Sequence, residues 1–115
     1  MMDSERKKTA GLSEEQLTLI VHRLVDALSP RRIILFGSHV YGQPHPASDI
    51  DLLVLVPDDE LASEDQDARG YRCLRGLFLP IELHFRGERE FEQYANSPRS
   101  FEHEVVTRGR VVYAA

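Results

Sequence analysis

Two short apolar runs bracket a polar loop in the first half of the chain. Ile33-Ile34-Leu35-Phe36 ends abruptly at Gly37-Ser38; ten residues later Asp49-Ile50-Asp51 opens a second run, Leu52 to Val56. Continuous apolar runs this short, rich in β-branched residues, predict strands buried on both faces. Neither approaches the roughly 20 apolar residues that a membrane-crossing helix needs. A loop with Gly42, Pro44 and Pro46 separates them, with room for one helical turn after Ser38.

The rest of the chain supplies the helices that such strands require. Leu17, Ile20, Val21, Leu24, Val25 and Leu28 recur at helical spacing and form one apolar stripe. Ser13 with Gln16 three residues later predicts a capping box at the start, and Ser29-Pro30 predicts the end. After Pro57 an acidic stretch from Asp58 to Asp67 reads as a solvated face leading into a helix that carries Arg69, Arg72 and Arg75 near its C-terminal end, the order that complements the helix dipole. Gly70 counts against an unbroken helix there. Pro80 to Phe85 predicts a third strand, residues 88–95 and 98–107 two short helices separated at Ser97-Pro98, and Val111 to Tyr113 a small last strand. Alternating helices and strands predict an α/β or α+β domain with a small sheet. The expected organisation is a flexible tail over residues 1–11 and a single domain over 12–115, since 115 residues leave little room for a second.

Composition narrows the partners. With 14 Lys and Arg against 19 Asp and Glu, the net charge is −5, the wrong sign for a general polyanion binder, so direct nucleic-acid binding is not expected. Hydrophobic content of 42% and charged content of 29% exclude global disorder and collagen. Cys73 stands alone, which excludes an internal disulfide and argues against a cysteine-based zinc site. The opening MMDSERKKTAGL holds basic residues but no apolar core of signal-peptide length, so no membrane association and a reducing, cytoplasmic location are expected.

The chemistry lies in the carboxylates. In a strand, residues two apart share a face about 6.5–7 Å apart, so Asp49 and Asp51 point one way and Ile50, Leu52 and Val54 the other. Paired carboxylates repel unless a cation neutralises them, and hard oxygen ligands of this kind suit Mg²⁺ held jointly with substrate phosphates. Two ions bridged by such a pair would clamp a phosphoryl group. Gly37 allows a sharp turn and close approach of a ligand to the backbone, while Ser38 offers a hydroxyl and an N–H to a phosphate. Glu82, inside PIELHF, is the candidate third carboxylate: it would help hold a metal and act as base toward an attacking hydroxyl. His84 shares its face, though a polar strand residue is the simpler reading of it.

Gly37-Ser38, ten residues, then Asp49-x-Asp51 between apolar strands resembles the signature of the minimal nucleotidyltransferases of the DNA polymerase beta superfamily. Gly42, Ser48, the LLVLV run, the later carboxylate-bearing strand and RGRVVY fall in the family's order, so the resemblance spans about residues 12 to 113. It implies a small mixed sheet packed against helices, and a nucleoside triphosphate, ATP above all, used with Mg²⁺, two ions with Mn²⁺ as an acceptable substitute. It implies nucleotide-binding roles for Gly37, Ser38 and Ser48, and catalytic and metal-holding roles for Asp49, Asp51 and Glu82. Single-domain members commonly pair with a helical HEPN toxin, acting as antitoxin, and some transfer AMP to a tyrosine of that toxin. Two residues depart from the usual pattern: Glu82 stands where Asp is common, and His39 where many relatives carry Arg.

Other readings stay open at this point. The same fold can neutralise a partner by binding alone, with catalysis lost. A hydrophobic strand followed by Asp-x-Asp also occurs in sugar transferases, although that class gives Gly37-Ser38 no role. Arg31 and Arg32 read as a solvated strand end, and Tyr41, Tyr71, Tyr94 and Tyr113 as packing residues.

Overall fold

The structure is a computed structural model, and it describes residues 12–41, 49–61 and 65–115. The expected tail over 1–11, together with Gly42 and Ser48, lies outside the described residues. Helix α1 (Glu14–Leu28) starts as its sequence dictates: the Ser13 hydroxyl accepts from the Gln16 N–H, and the Gln16 side chain accepts from the Ser13 N–H. Strand β1 (Arg32–Phe36) follows, then the single turn α2 (Ser38–Tyr41) and strand β2 (Ile50–Val56). A 3₁₀ turn (Asp58–Glu60) and helix α3 (Asp65–Cys73) lead to β3 (Ile81–Gly87). Helices α4 (Glu88–Ala95) and α5 (Phe101–Arg108) and strand β4 (Arg110–Ala114) complete the order.

The four strands form one mixed sheet in the order β3-β2-β1-β4. β1 runs antiparallel to both β2 and β4, while β2 and β3 are parallel. A parallel neighbour cannot be reached by a hairpin, and the stretch containing α3 makes the crossover. Both faces are covered, as continuous apolar strands require. Ile33, Leu35, Ile50, Leu52, Val54, Val56 and Leu83 pack with Leu17, Ile20, Leu24 and Leu28 of α1. Ile34, Phe36, Leu53 and Leu55 pack on the other face with Phe91 of α4 and Val105 of α5.

Polar contacts tie these layers together. Arg31 and Arg32, expected as a solvated strand end, reach Glu88 at 3.1 Å and Glu92 at 3.4 Å and so anchor α4 to β1. Both Asp58 carboxylate oxygens accept from the first turn of α4, from the N–H groups of Arg89 (2.7 Å) and Glu90 (3.2 Å). Arg110 meets Glu14 with two bonds of 2.9 Å, holding β4 to the start of α1. On the edge strand β3, the Leu83 N–H donates to the Tyr71 hydroxyl at 2.8 Å, which removes one open ladder position.

Several boundaries differ from the sequence reading, three of them with a clear local cause or consequence. β2 begins at Ile50, so Asp49 precedes the ladder instead of opening it; β3 begins after Pro80, which has no N–H to give the ladder; and α5 begins at Phe101, capped by the Ser100 hydroxyl. Helix α3 runs through Gly70, because the position has a packing reason to lack a side chain: a Cβ there would lie 2.9 Å from a Leu83 methyl and 3.2 Å from the Phe85 ring. Among the described residues, no helix is long and apolar enough to cross a membrane.

Two substitutions calibrate this account. Ser13→Ala removes the cap of α1 and is expected to cost about 1 kcal/mol, whereas Leu24→Ala empties a fully buried core position and is expected to cost about 2–5 kcal/mol. Urea unfolding of both variants measures the difference; equal losses would contradict the burial pattern.

Candidate active site

The register of the sheet assembles the site. Phe36, the last residue of β1, pairs with Asp51, and Asp51 pairs across β2–β3 with Glu82. Alternation along each strand then puts Phe36, Asp51, Glu82 and His84 on the face that α4 and α5 cover farther along. Arg31 and Arg32 belong to the opposite end of β1, where Arg32 pairs with Leu55, and have no part in it.

Asp51, Glu82 and His84 each present a ligand atom within 4.8 Å of the others, a group of the kind that holds a metal ion. His84 Nε2 stands 3.6 Å from an Asp51 oxygen, an ion-pair separation rather than a hydrogen bond. The imidazole is steadied by aromatic neighbours, with Phe36 at 5.3 Å and Phe101 at 6.4 Å between ring centroids. Asp49 is exposed and stands outside this cluster, although its charge is felt at Asp51. The pairing across β2–β3 adds Glu82 and His84 to Asp51, and Asp49, just before the ladder, acts on Asp51 through its charge.

The Gly37-Ser38 elbow abuts the same carboxylate. Gly37 has φ +85°, a left-handed conformation that L side chains rarely adopt. A Cβ on Gly37 would lie 2.5 Å from Asp51 Oδ2, closer than any van der Waals contact. Val40 N–H donates to the Gly37 carbonyl at 3.0 Å and closes the turn that places Ser38, half-buried, at the start of α2. His39 is buried and lines a small cavity with Leu12, Leu17 and Arg110, so its side chain is occupied on the α1 side of the sheet.

His84 is the site residue that its sequence context undersold. Its place two residues after Glu82 is the signal that finds it, once β3 is known to lie beside β2. The donor set of two carboxylates and an imidazole fits a divalent cation, and neutralisation is needed here: burial raises the pKa of Asp51 above its ordinary value. His84 opposes that rise, and the Glu82 and Asp49 carboxylates add to it.

A raised carboxyl pKa means that the folded chain holds its proton more tightly than the unfolded chain. The charged form is therefore a stability penalty above the ordinary Asp range, and the penalty disappears as pH falls through the raised pKa. Asp51→Asn is expected to raise the melting temperature of the metal-free protein at pH 7, with the gap closing as pH is lowered toward the ordinary Asp value. A variant no more stable than the parent at pH 7 would show that Asp51 carries no such stress. Gly37→Ala is expected to cost at least about 1–2 kcal/mol from the left-handed backbone alone and to displace the Asp51 carboxylate. Calorimetry reads the first effect and metal titration the second.

Residues 15–108 match the family model described as nucleotidyltransferase domain. No curated protein matches the chain. Among solved structures, a chain of a crystal structure described as "the toxin-antitoxin with AMP-PNP" is similar at 23% identity and a TM-score of 0.52, over 85% of this chain and 73% of that one. That likeness supports the fold, a mixed sheet between helices. The family match takes in the Gly37-Ser38 elbow, both aspartates and Glu82, and with it the chain belongs to the nucleotidyltransferase domain family.

Proposed function

We propose that this chain transfers AMP from ATP onto a protein hydroxyl, a tyrosine of a HEPN-type helical toxin, and serves in the cytoplasm as the antitoxin of that partner. The observation that carries the reading is the contact of two elements of unlike chemistry: a glycine elbow suited to phosphate lies against the carboxylate of a metal-competent cluster. A nucleotidyl transfer needs both within one phosphate length. The similar toxin–antitoxin crystal structure holds AMP-PNP, an ATP analogue, which favours ATP as donor and a toxin as partner.

In this reading the Ser38 hydroxyl and the N–H groups at the start of α2 hold the triphosphate, with Gly37 admitting it close to the backbone and Ser48 contributing from the loop. Asp51 and Glu82, together with the exposed Asp49, would hold Mg²⁺. The bound cation supplies charge neutralisation on the triphosphate and orientation of its α-phosphorus. Glu82 takes the proton of the acceptor hydroxyl as its oxygen bonds to the α-phosphorus, and pyrophosphate leaves.

A second reading has its own support. Asp49 stands outside the cluster, which suits an antitoxin that binds its partner without catalysis. One experiment separates the two: the protein, Mg²⁺, α-labelled ATP and the product of a neighbouring gene encoding a small helical protein are incubated together. Transfer of label to the partner, lost in Asp51→Asn by more than the roughly 100-fold typical of outer-shell changes at metal sites, is the expected result. Absence of label together with full neutralisation of the toxin by Asp51→Asn would replace the enzymatic reading with the binding one.

A further inference from the structure

We infer that His84 Nε2 is a direct ligand of the active-site cation, and that this nitrogen makes the site select Mn²⁺ over Mg²⁺. The inference rests on the reading that Asp51 and Glu82 hold a metal, and it changes which metal. Three observations on His84 lead to it. Its Nε2 is shut off from solvent yet makes no hydrogen bond among the described residues, an expensive condition for a polar atom that has no other task. It faces Asp51 at 3.6 Å, too long for a hydrogen bond. Donor atoms held about 2.1 Å from one ion stand about 3.0–3.5 Å apart, so the separation is close to that of two ligands on a shared cation. Finally, the ring is held between aromatic neighbours, Phe36 and Phe101, which fix its direction without using its nitrogen.

The donor chemistry sets the selectivity. Mg²⁺ is served by carboxylate, carbonyl and water oxygens and parts reluctantly with its water. First-row transition ions accept imidazole more readily than Mg²⁺ does, and Mn²⁺ also accepts carboxylates, so of these two ions a site of two carboxylates and one imidazole favours Mn²⁺. The competing explanation is that His84 is an ion-pair partner of Asp51 and keeps its nitrogen off the metal.

Pulsed electron paramagnetic resonance on the full chain with Mn²⁺, alongside calorimetric titration with Mn²⁺ and with Mg²⁺, distinguishes them. Bound Mn²⁺ is expected to show nitrogen modulation that His84→Ala and His84→Asn both abolish. Mn²⁺ should bind at least about tenfold more tightly than Mg²⁺, with His84→Ala erasing most of that preference while leaving Mg²⁺ affinity within about threefold. Mn²⁺ bound without nitrogen modulation would overturn the inference and leave Asp51 and Glu82 as the metal site. Mn²⁺ affinity unchanged in Asp51→Asn and in Glu82→Gln would overturn the underlying reading and the inference with it.

Discussion

The Gly37 backbone and the Asp51 carboxylate occupy adjoining volumes with no room for even one methyl group between them. The approach has consequences in both directions along the chain. It requires glycine at the end of β1, which lets the backbone take a φ of +85° and turn directly into α2. It also requires that β1 and β2 pair so that Phe36 lies opposite Asp51. A slip of one residue would send Asp51 into the α1 core and Leu52 onto the polar face. The apolar alternation of β2 forbids that slip, since Ile50, Leu52, Val54 and Val56 are each almost wholly buried on the α1 side. The hydrophobic core thus sets the register, and the register sets the position of the charge.

The same arrangement makes the site a source of instability. Asp51 is drawn partly out of water beside Glu82, with Asp49 near enough to add repulsion. A protein selected for stability alone would place neutral groups here. Carboxylates held together at such cost are the usual mark of a place where a cation or substrate arrives. His84 relieves part of the stress, and its ring lies between Phe36 and Phe101, flat neighbours that suit an imidazole better than a lysine ammonium.

Much of this was legible in the sequence because the signals were local. Ser13, Gln16 and Pro30 mark the ends of α1, and the apolar spacing from Leu17 to Leu28 marks its buried face. Gly37-Ser38 and the two apolar runs mark the elbow and its flanking strands, and their spacing to Asp49 and Asp51 suffices to suggest the chemistry. What was not legible depends on pairing between distant segments. Strand alternation alone relates Asp49 to Asp51; only the parallel β2–β3 register brings Glu82 and His84 to Asp51. Gly70 is discouraged by helix propensity and permitted by Leu83 and Phe85, residues more than a dozen positions away. Such facts follow from tertiary contact, which a pattern along one segment cannot carry.

The two faces of the sheet divide the labour between folding and chemistry. On the α1 side the strands present an unbroken apolar row, Ile50, Leu52, Val54 and Val56 beside Ile33 and Leu35. On the other side the cover is confined to one end. Phe91 and Val105 bury Leu53, Leu55 and Ile34, and Arg31, Arg32 and Asp58 fasten α4 there through ion pairs and a helix cap. The fastening lies toward Leu55 and Val56, at the far end of β2 from Asp51. Helix α5 reaches the near end only with Phe101, whose ring meets Phe36 at 5.4 Å edge-on. The helices are therefore braced away from the carboxylates, and the polar end of this face is left for a ligand while the apolar end keeps the sheet from opening. A sheet clasped evenly along its whole length would be more stable and would have buried Asp51 and Glu82 beyond the reach of a phosphate.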